Sequence, residues 1–377
     1  MLKLLHTADW HLGLSFGQFD EEDQKKLTRA RRQVIESILG KADQEDVHAV
    51  LCAGDLFDVP EPPQEWWEEL VKLFQQRRSW TRPVFLLPGN HDPLTPTSVW
   101  APTHPFRQRL PGFVHVVDKE DFTFELAPDA VLHAVPCRSR SGQLDPTEKI
   151  PPRAPGDARI RIGMAHGTTF DIEGHQMNFP IAKDAAQRRG LDYLAIGDTH
   201  AFREVPEGAP VPTVYPGAPE QTRFGEKDAG HVAIVMIRRS GMRPVIRRER
   251  VAQWTWREET CRSLAELRQL AGDDKLSRTV LRLHLDLRVT LPENEELEAI
   301  LRELKGTAAS HGRVGVLDVD RSKHALDVGG GEFPDTLPEL LRTAVTRLRA
   351  QADANDDTSA DARLALVHLF RLVKETS

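Results

Sequence analysis

Five short apolar runs, each ending in a cluster of Asp, His, Asn and Gly, constrain this chain more than any other feature. Residues 2–5 lead to Asp9-Trp10-His11, residues 47–52 to Gly54-Asp55-Leu56-Phe57-Asp58, and residues 84–87 to Gly89-Asn90-His91-Asp92. Residues 160–164 lead to Ala165-His166-Gly167, and residues 194–196 to Gly197-Asp198-Thr199-His200. Runs of this length bounded by Gly, Pro or Asp read as buried strands, and open α/β sheets carry ligands beyond the carboxyl ends of their strands. The pattern predicts five strand ends meeting at one polar site. Between the runs, Leu27, Val34 and Ile38, and then Trp66, Leu70 and Phe74, recur at helical spacing and predict covering helices over 23–39 and 63–74. Shorter runs at 114–117, 122–126, 131–135, 211–215, 231–237 and 245–251 lie close together, which predicts antiparallel strands and therefore mixed sheets.

At 377 residues the chain exceeds one core of ~100 to 200 residues. The first unit is expected over 1–250. A strand at 280–289, a helix at 295–304 and a strand at 313–319 predict a small α+β unit over 251–330. Gly329-Gly330-Gly331 then reads as a flexible joint before a helical segment over 331–377. Its last helix carries Leu364, Leu366, Val367, Leu369, Phe370, Leu372 and Val373, more than one stripe needs, so it packs on the chain or on a partner.

Cys52, Cys137 and Cys261 stand far apart, which excludes a disulfide framework and a thiolate zinc module. Any metal must be held by nitrogen and oxygen. No apolar run reaches the ~18 residues that cross a bilayer, and residues 1–6 lack a leader-like stretch, so a cytoplasmic protein is expected. The net charge of −7 argues against a uniformly basic nucleic-acid-binding surface but leaves room for a local basic groove.

Asp9 and His11 are two residues apart and point the same way from an extended chain. With Asp55, Asn90, His166, Asp198 and His200 they make seven candidate ligands, too many for one ion. Carboxylate, imidazole and carboxamide suit Mn²⁺, Fe²⁺ or Zn²⁺. Two ions ~3.5 to 4 Å apart, bridged by a carboxylate and a hydroxide, would use the whole set for phosphoester cleavage.

At these residues the chain resembles the calcineurin-like metallophosphoesterases, and His6-Thr7-Ala8-Asp9-Trp10-His11-Leu12-Gly13 resembles the opening of the SbcD nuclease family. Tyr215-Pro216-Gly217-Ala218-Pro219-Glu220 and Phe224-Gly225-Glu226 are similar to that family's segment after its last metal motif. The resemblance covers residues 1–250. It implies a β-sandwich of mixed sheets flanked by helices, a small α+β capping domain over 251–330, and C-terminal helices over 331–377 that dock on an SbcC-type coiled-coil ATPase. Asp9, His11 and His200 would hold one ion, Asn90, His166 and Asp198 the other, and Asp55 would bridge. His91 would be the general acid, protonating the leaving oxygen as the bridging hydroxide attacks. Asp92 would orient His91 or raise its pKa, and Asp58 would hold a ligand from behind.

One departure stands out. The family has Gly-His-x-His at the fifth motif, whereas Asp198 takes the place of the first histidine here. A third carboxylate lowers the site's positive charge, so Mn²⁺ is expected first, with Fe²⁺, Zn²⁺ or Mg²⁺ as alternatives. Arg138 and Arg140, which follow an apolar run, are candidate phosphate contacts. His115, His133 and His175 read as structural or surface residues.

The function expected is that of a metal-dependent DNA exo- and endonuclease subunit in repair or end processing, working as a homodimer with the ATPase. The alternatives are a phosphodiesterase or phosphatase for small substrates, and a catalytically weakened scaffold that binds DNA ends.

Overall fold

The first strand, β1 (Leu2–Thr7), is buried on both faces because it separates two apolar layers: Leu5 packs toward helices, and Leu2 and Leu4 toward a second sheet. The computed structural model describes residues 1–169, 177–307, 310–327, 333–334, 336–354 and 356–376. They divide into two units, Met1–Trp254 and Thr255–Ser377.

In chain order the first unit runs β1, α1 (Glu21–Gln44), β2 (Ala49–Cys52), α2 (Gln64–Gln75), β3 (Val84–Leu86), α3 (Pro105–Gln108), β4 (Val114–Val116), β5 (Phe122–Ala127) and β6 (Ala130–Ala134). It continues with β7 (Ile160–His166), α4 (Ala185–Arg188), β8 (Tyr193–Gly197), β9 (Arg203–Val205), β10 (Thr213–Tyr215), β11 (His231–Ile237) and β12 (Val245–Arg250). Two six-stranded sheets result, ordered β12-β11-β1-β2-β3-β4 and β5-β6-β7-β8-β10-β9. Leu4, Leu51 and Phe85 of one sheet meet Leu132, Ile162 and Tyr193 of the other in a shared core. On the outer face of the first sheet, Val50, Cys52 and Leu86 pack under Val34, Ile38, Leu70 and Phe74 of α1 and α2. The fold is the mixed-sheet, helix-flanked α/β sandwich expected from sequence.

The helices form where the apolar period predicts them. Asp20 caps α1 by accepting from the Asp23 N–H, and Glu21, Glu22 and Asp23 place negative charge against the positive end of its dipole. The expectation of antiparallel pairing needs correction at β4, which runs parallel to β3, while β6 and β10 each add a parallel neighbour, β7 and β8, on the side away from their antiparallel partner. Closeness along the chain did not choose the neighbour there. The long connections between β3 and β4 and between β6 and β7 let each strand cross over and enter parallel. The pairs β5–β6, β9–β10 and β11–β12 are antiparallel.

The second unit contains β13 (Thr255–Cys261), α5 (Leu264–Ala271), β14 (Thr279–Leu285), β15 (Arg288–Thr290), α6 (Leu291–Lys305), β16 (Gly306–Thr307), β17 (Ser310–His311), β18 (Val316–Asp320), β19 (Ala325–Asp327), α7 (Glu339–Asp353) and α8 (Ser359–Thr376). β13, β14 and β18 form a parallel sheet, and the single strand expected over 280–289 is two strands, β14 and β15. α6 opens with a reciprocal cap between Thr290 and Glu293. α8 packs on α7 through Leu366, Ala362, Val345 and Ala352, and leaves Leu364 and Leu372 exposed. His175 and the Gly329-Gly330-Gly331 joint lie outside the described residues. No helix among those residues is long and apolar enough to cross a membrane.

Candidate metal centre

Each predicted ligand, and the predicted acid His91, sits at or just past the carboxyl end of a strand: Asp9 and His11 after β1, Asp55 after β2, Asn90 and His91 after β3, His166 at the end of β7, and Asp198 and His200 after β8. The loops after β1 and β2 are joined backbone to backbone, Asp9 N–H to Gly54 O and His11 N–H to Asp55 O, both at 3.0 Å. Bringing them this close bends the chain. Of the seven non-glycine residues with positive φ among those described, four are Asp9 (54°), His11 (43°), Asp55 (51°) and Asp198 (106°). Such conformations are uncommon outside glycine and concentrate where a site needs them. Gly89 serves the same end by its missing side chain: a Cβ there would lie 2.1 Å from Asp55 Oδ1.

Asp55 is the centre of the arrangement. Its Oδ1 accepts from the His91 N–H at 2.9 Å, while Oδ2 lies 3.4 Å from His166 Nε2 and 3.8 Å from His11 Nε2. Burial alone would raise its pKa, but the histidines facing it hold it below the ordinary carboxylate range. Asp9, Asp55 and His166 have ligand atoms within 4.8 Å of one another, and so do Asp9, His11 and His200. Asp198 is outside both groups. Its Oδ1 stands 3.9 Å from His166 Nε2, and its Oδ2 accepts from the Thr168 hydroxyl at 2.7 Å.

Hydrogen bonding tests whether these residues suit cations. His11 Nδ1 faces Asp58 Oδ1 at 3.1 Å and His200 Nδ1 faces Glu226 Oε1 at 2.6 Å. When each ring donates through Nδ1, two Nε2 lone pairs confront each other at 3.0 Å. The second confrontation is similar: His166 Nδ1 lies 2.9 Å from Ala53 O, and its Nε2 meets Asn90 Oδ1 at 2.8 Å. Acceptors this close need a proton or a cation between them. Asp9 Oδ2 is buried with no hydrogen-bond partner, and burial pushes this carboxyl up to about 7. Burial lowers the His11 pKa to about 4, keeping that ring neutral and free to ligate. At His166 burial acts in the same direction, but Asp55, Asp9 and Asp198 outweigh it and raise the pKa well above the ordinary value. The donor set fits divalent cations at two positions.

His91 stands at the rim, its side chain 45% exposed. Asp58 lies 3.5 Å from its Nδ1 and, opposed by burial, raises its pKa to about 9, so the ring is protonated at neutral pH. Asp92 does not perform the orienting task expected of it. Its carboxylate is wholly buried and accepts from the Phe57 N–H at 2.9 Å and the Gly89 N–H at 2.8 Å, bracing two ligand loops. The carboxylate that faces His91 is instead Asp58, which also faces His11. Arg138 is exposed 4.0 Å from Glu120, and the Arg140 carbonyl accepts from the Asn178 amide. Asn178 donates its own N–H to Thr168, so this loop borders the Asp198 side of the site. His133 is buried beside Thr123, and His115 stacks on Phe85.

Sequence reasoning about the ligands missed Glu226, Thr168 and Arg31. Glu226 lay within the Phe224-Gly225-Glu226 stretch but carried no metal-ligand spacing. Arg31 stands on the apolar stripe of α1 between Leu27 and Val34, where a charged residue signals a buried task.

A family model for calcineurin-like phosphoesterases matches residues 2–202, and the chain belongs to this family. It is 28% identical over 241 residues to the uncharacterized metallophosphoesterase YhaO of Bacillus subtilis (strain 168), covering 62% of this chain and 57% of that protein. It is 33% identical over 95 residues to the SbcD component of nuclease SbcCD from the same organism, covering 24% of this chain and 22% of that one. The aligned regions thus span less than two thirds of either relative. Among solved structures, TT1561 of Thermus thermophilus superimposes with a TM-score of 0.39 at 13% identity, covering 66% of this chain and 99% of that one. A dimetal phosphatase from Danio rerio gives 0.39 at 11%, covering 65% and 98%. The chain is a metallophosphoesterase with a candidate two-metal site.

Proposed function

We propose that this chain is a metal-dependent phosphodiesterase acting on DNA, a cytoplasmic nuclease subunit that uses Mn²⁺. The observation that carries the hydrolytic reading is the position of His91, an imidazole at the rim of a buried carboxylate–histidine cluster with its Nδ1 3.5 Å from Asp58 Oδ1. Asp9, His11 and His200 would hold one cation, Asn90, His166 and Asp198 the second, and Asp55 would serve both. When bound, the two ions supply Lewis acidity toward phosphate oxygens and an activated water. Asp58 keeps a proton on His91, and His91 delivers it to the leaving sugar oxygen. Asp58 and Glu226 hold the Nδ1 sides of His11 and His200, so the opposite nitrogens stay turned inward.

The choice of DNA rests on the partial similarity to a nuclease subunit and on the opening motif; Arg138 and Arg140 are proposed backbone contacts. The small α+β domain over 251–330 would cap the substrate, and the helices over 331–377 would dock on an SbcC-type ATPase, with the chain acting as a homodimer. The net charge of −7 favours a second reading, a phosphodiesterase for small esters.

Assaying the chain with Mn²⁺ on linear DNA beside bis-p-nitrophenyl phosphate separates the readings. DNA cleavage that His91→Ala lowers by ~10² to 10⁴ supports the nuclease. Turnover of the small ester alone supports the second reading, and manganese binding without any turnover leaves a scaffold.

A further inference from the structure

Arg31 is 1% exposed in the middle of α1, and its guanidinium bonds backbone rather than solvent. Nη1 donates to Trp10 O at 2.7 Å, and Nη2 donates to Gln221 O at 3.0 Å and Glu220 O at 3.2 Å. Trp10 is the residue between Asp9 and His11. Gln221 opens the loop that ends at Glu226, and its side-chain amide donates back to Glu226 O at 2.9 Å. Within that loop Thr222 donates its N–H and hydroxyl to the Glu226 carboxylate at 2.8 and 2.5 Å, and that carboxylate grips His200. One guanidinium therefore ties together two segments that are distant in sequence. One carries Asp9 and His11, and the other carries the carboxylate that orients His200.

We propose that Arg31 is a positioning residue for one cation of the pair, the one held by Asp9, His11 and His200. Desolvating a guanidinium is costly, and a helix stripe made only of Leu, Val and Ile would pack the same sheet. The planar fork is what a hydrophobic residue or an ammonium lacks: it serves carbonyls in two directions at once. The Asn90–His166–Asp198 side receives no hydrogen bond from Arg31 and should be left alone by its replacement. This inference rests on the metal-dependent reading above.

The test is manganese titration of the metal-free full chain by calorimetry, with electron paramagnetic resonance of the loaded protein and a thermal melt of each variant. Wild type is expected to bind two ions that give a spin-coupled spectrum. Arg31→Lys, which keeps the charge, and Arg31→Met, which keeps the length, should each retain one position at wild-type affinity. They should weaken the other by ~10- to 100-fold, and the spectrum at two equivalents should turn mononuclear. Two wild-type affinities in Arg31→Lys with only a lowered melting temperature would overturn the proposal, as would equal weakening of both positions. A wild-type chain that binds no manganese sinks the metal-centre reading itself, a result distinct from either.

Discussion

At the scale of single residues, the centre works through carboxylates placed behind histidines. Asp58 contacts the imidazoles of both His11 and His91, and its charge keeps His91 protonated up to about pH 9. As the proposed general acid, His91 would work below its own pKa, so the rate should fall as pH rises through that value. Asp58→Asn removes the charge but keeps an acceptor for His11. The falling limb of kcat against pH should then move toward the ordinary histidine value, with a loss of roughly tenfold or more near pH 8. An unmoved limb would show that Asp58 does not set the His91 proton. Glu220 offers a stability counterpart. Burial raises its pKa to about 7, against the Gln253 N–H and Arg31, which lower it. The folded state thus binds this proton more tightly than the unfolded one. The resulting stability is complete below the ordinary carboxyl value near 4.5 and is lost as pH rises through about 7. Glu220→Gln should be more stable than wild type near pH 8, by up to about 3 kcal/mol, and little different near pH 5. Paired thermal melts at the two pH values check this.

At the scale of elements, the site depends on how closely loops from different strands approach. Gly89 lies against Asp55, where an added methyl would meet Oδ1 at 2.1 Å and the backbone nitrogen at 2.3 Å. Gly89→Ala should cost about 1 to 3 kcal/mol and abolish tight metal binding by displacing Asp55, the proposed bridge between the two cations. Gly112→Ala, where nothing lies within 4 Å, is the control and should leave the metal titration unchanged. Much at this level was legible in the sequence. The apolar period placed α1 and α2, and the runs before each polar cluster placed β1, β2, β3, β7 and β8. Strand direction was not legible. It depends on which neighbour a strand finds after a long connection, and a local pattern of hydrophobicity is the same for either direction. Asp92 shows the same limit in a single side chain. Its place beside His91 suggested contact with that ring, but consecutive residues in a turn point apart, and its carboxylate turned inward to two backbone N–H groups.

For the whole molecule, charge decides how DNA would be held. A chain with net charge −7 can follow a polyanion only through local basic residues, and contacts of that kind release counterions. Affinity for duplex DNA should therefore fall by more than about tenfold between ~50 and ~200 mM salt, and it should rise when a basic partner subunit is added. Salt-independent binding in fluorescence anisotropy would exclude backbone contacts as its source. The order of motifs along the chain determined by itself the class of fold and the residue types at the centre, because strands bounded by ligand-bearing turns have few ways to bury their apolar runs. Only the tertiary structure decided which oxygen faces which nitrogen. Glu226, Arg31 and Thr168 became part of the centre through contacts between segments up to about 190 residues apart, and no periodicity records a hydrogen bond that exists only once the sheets have closed.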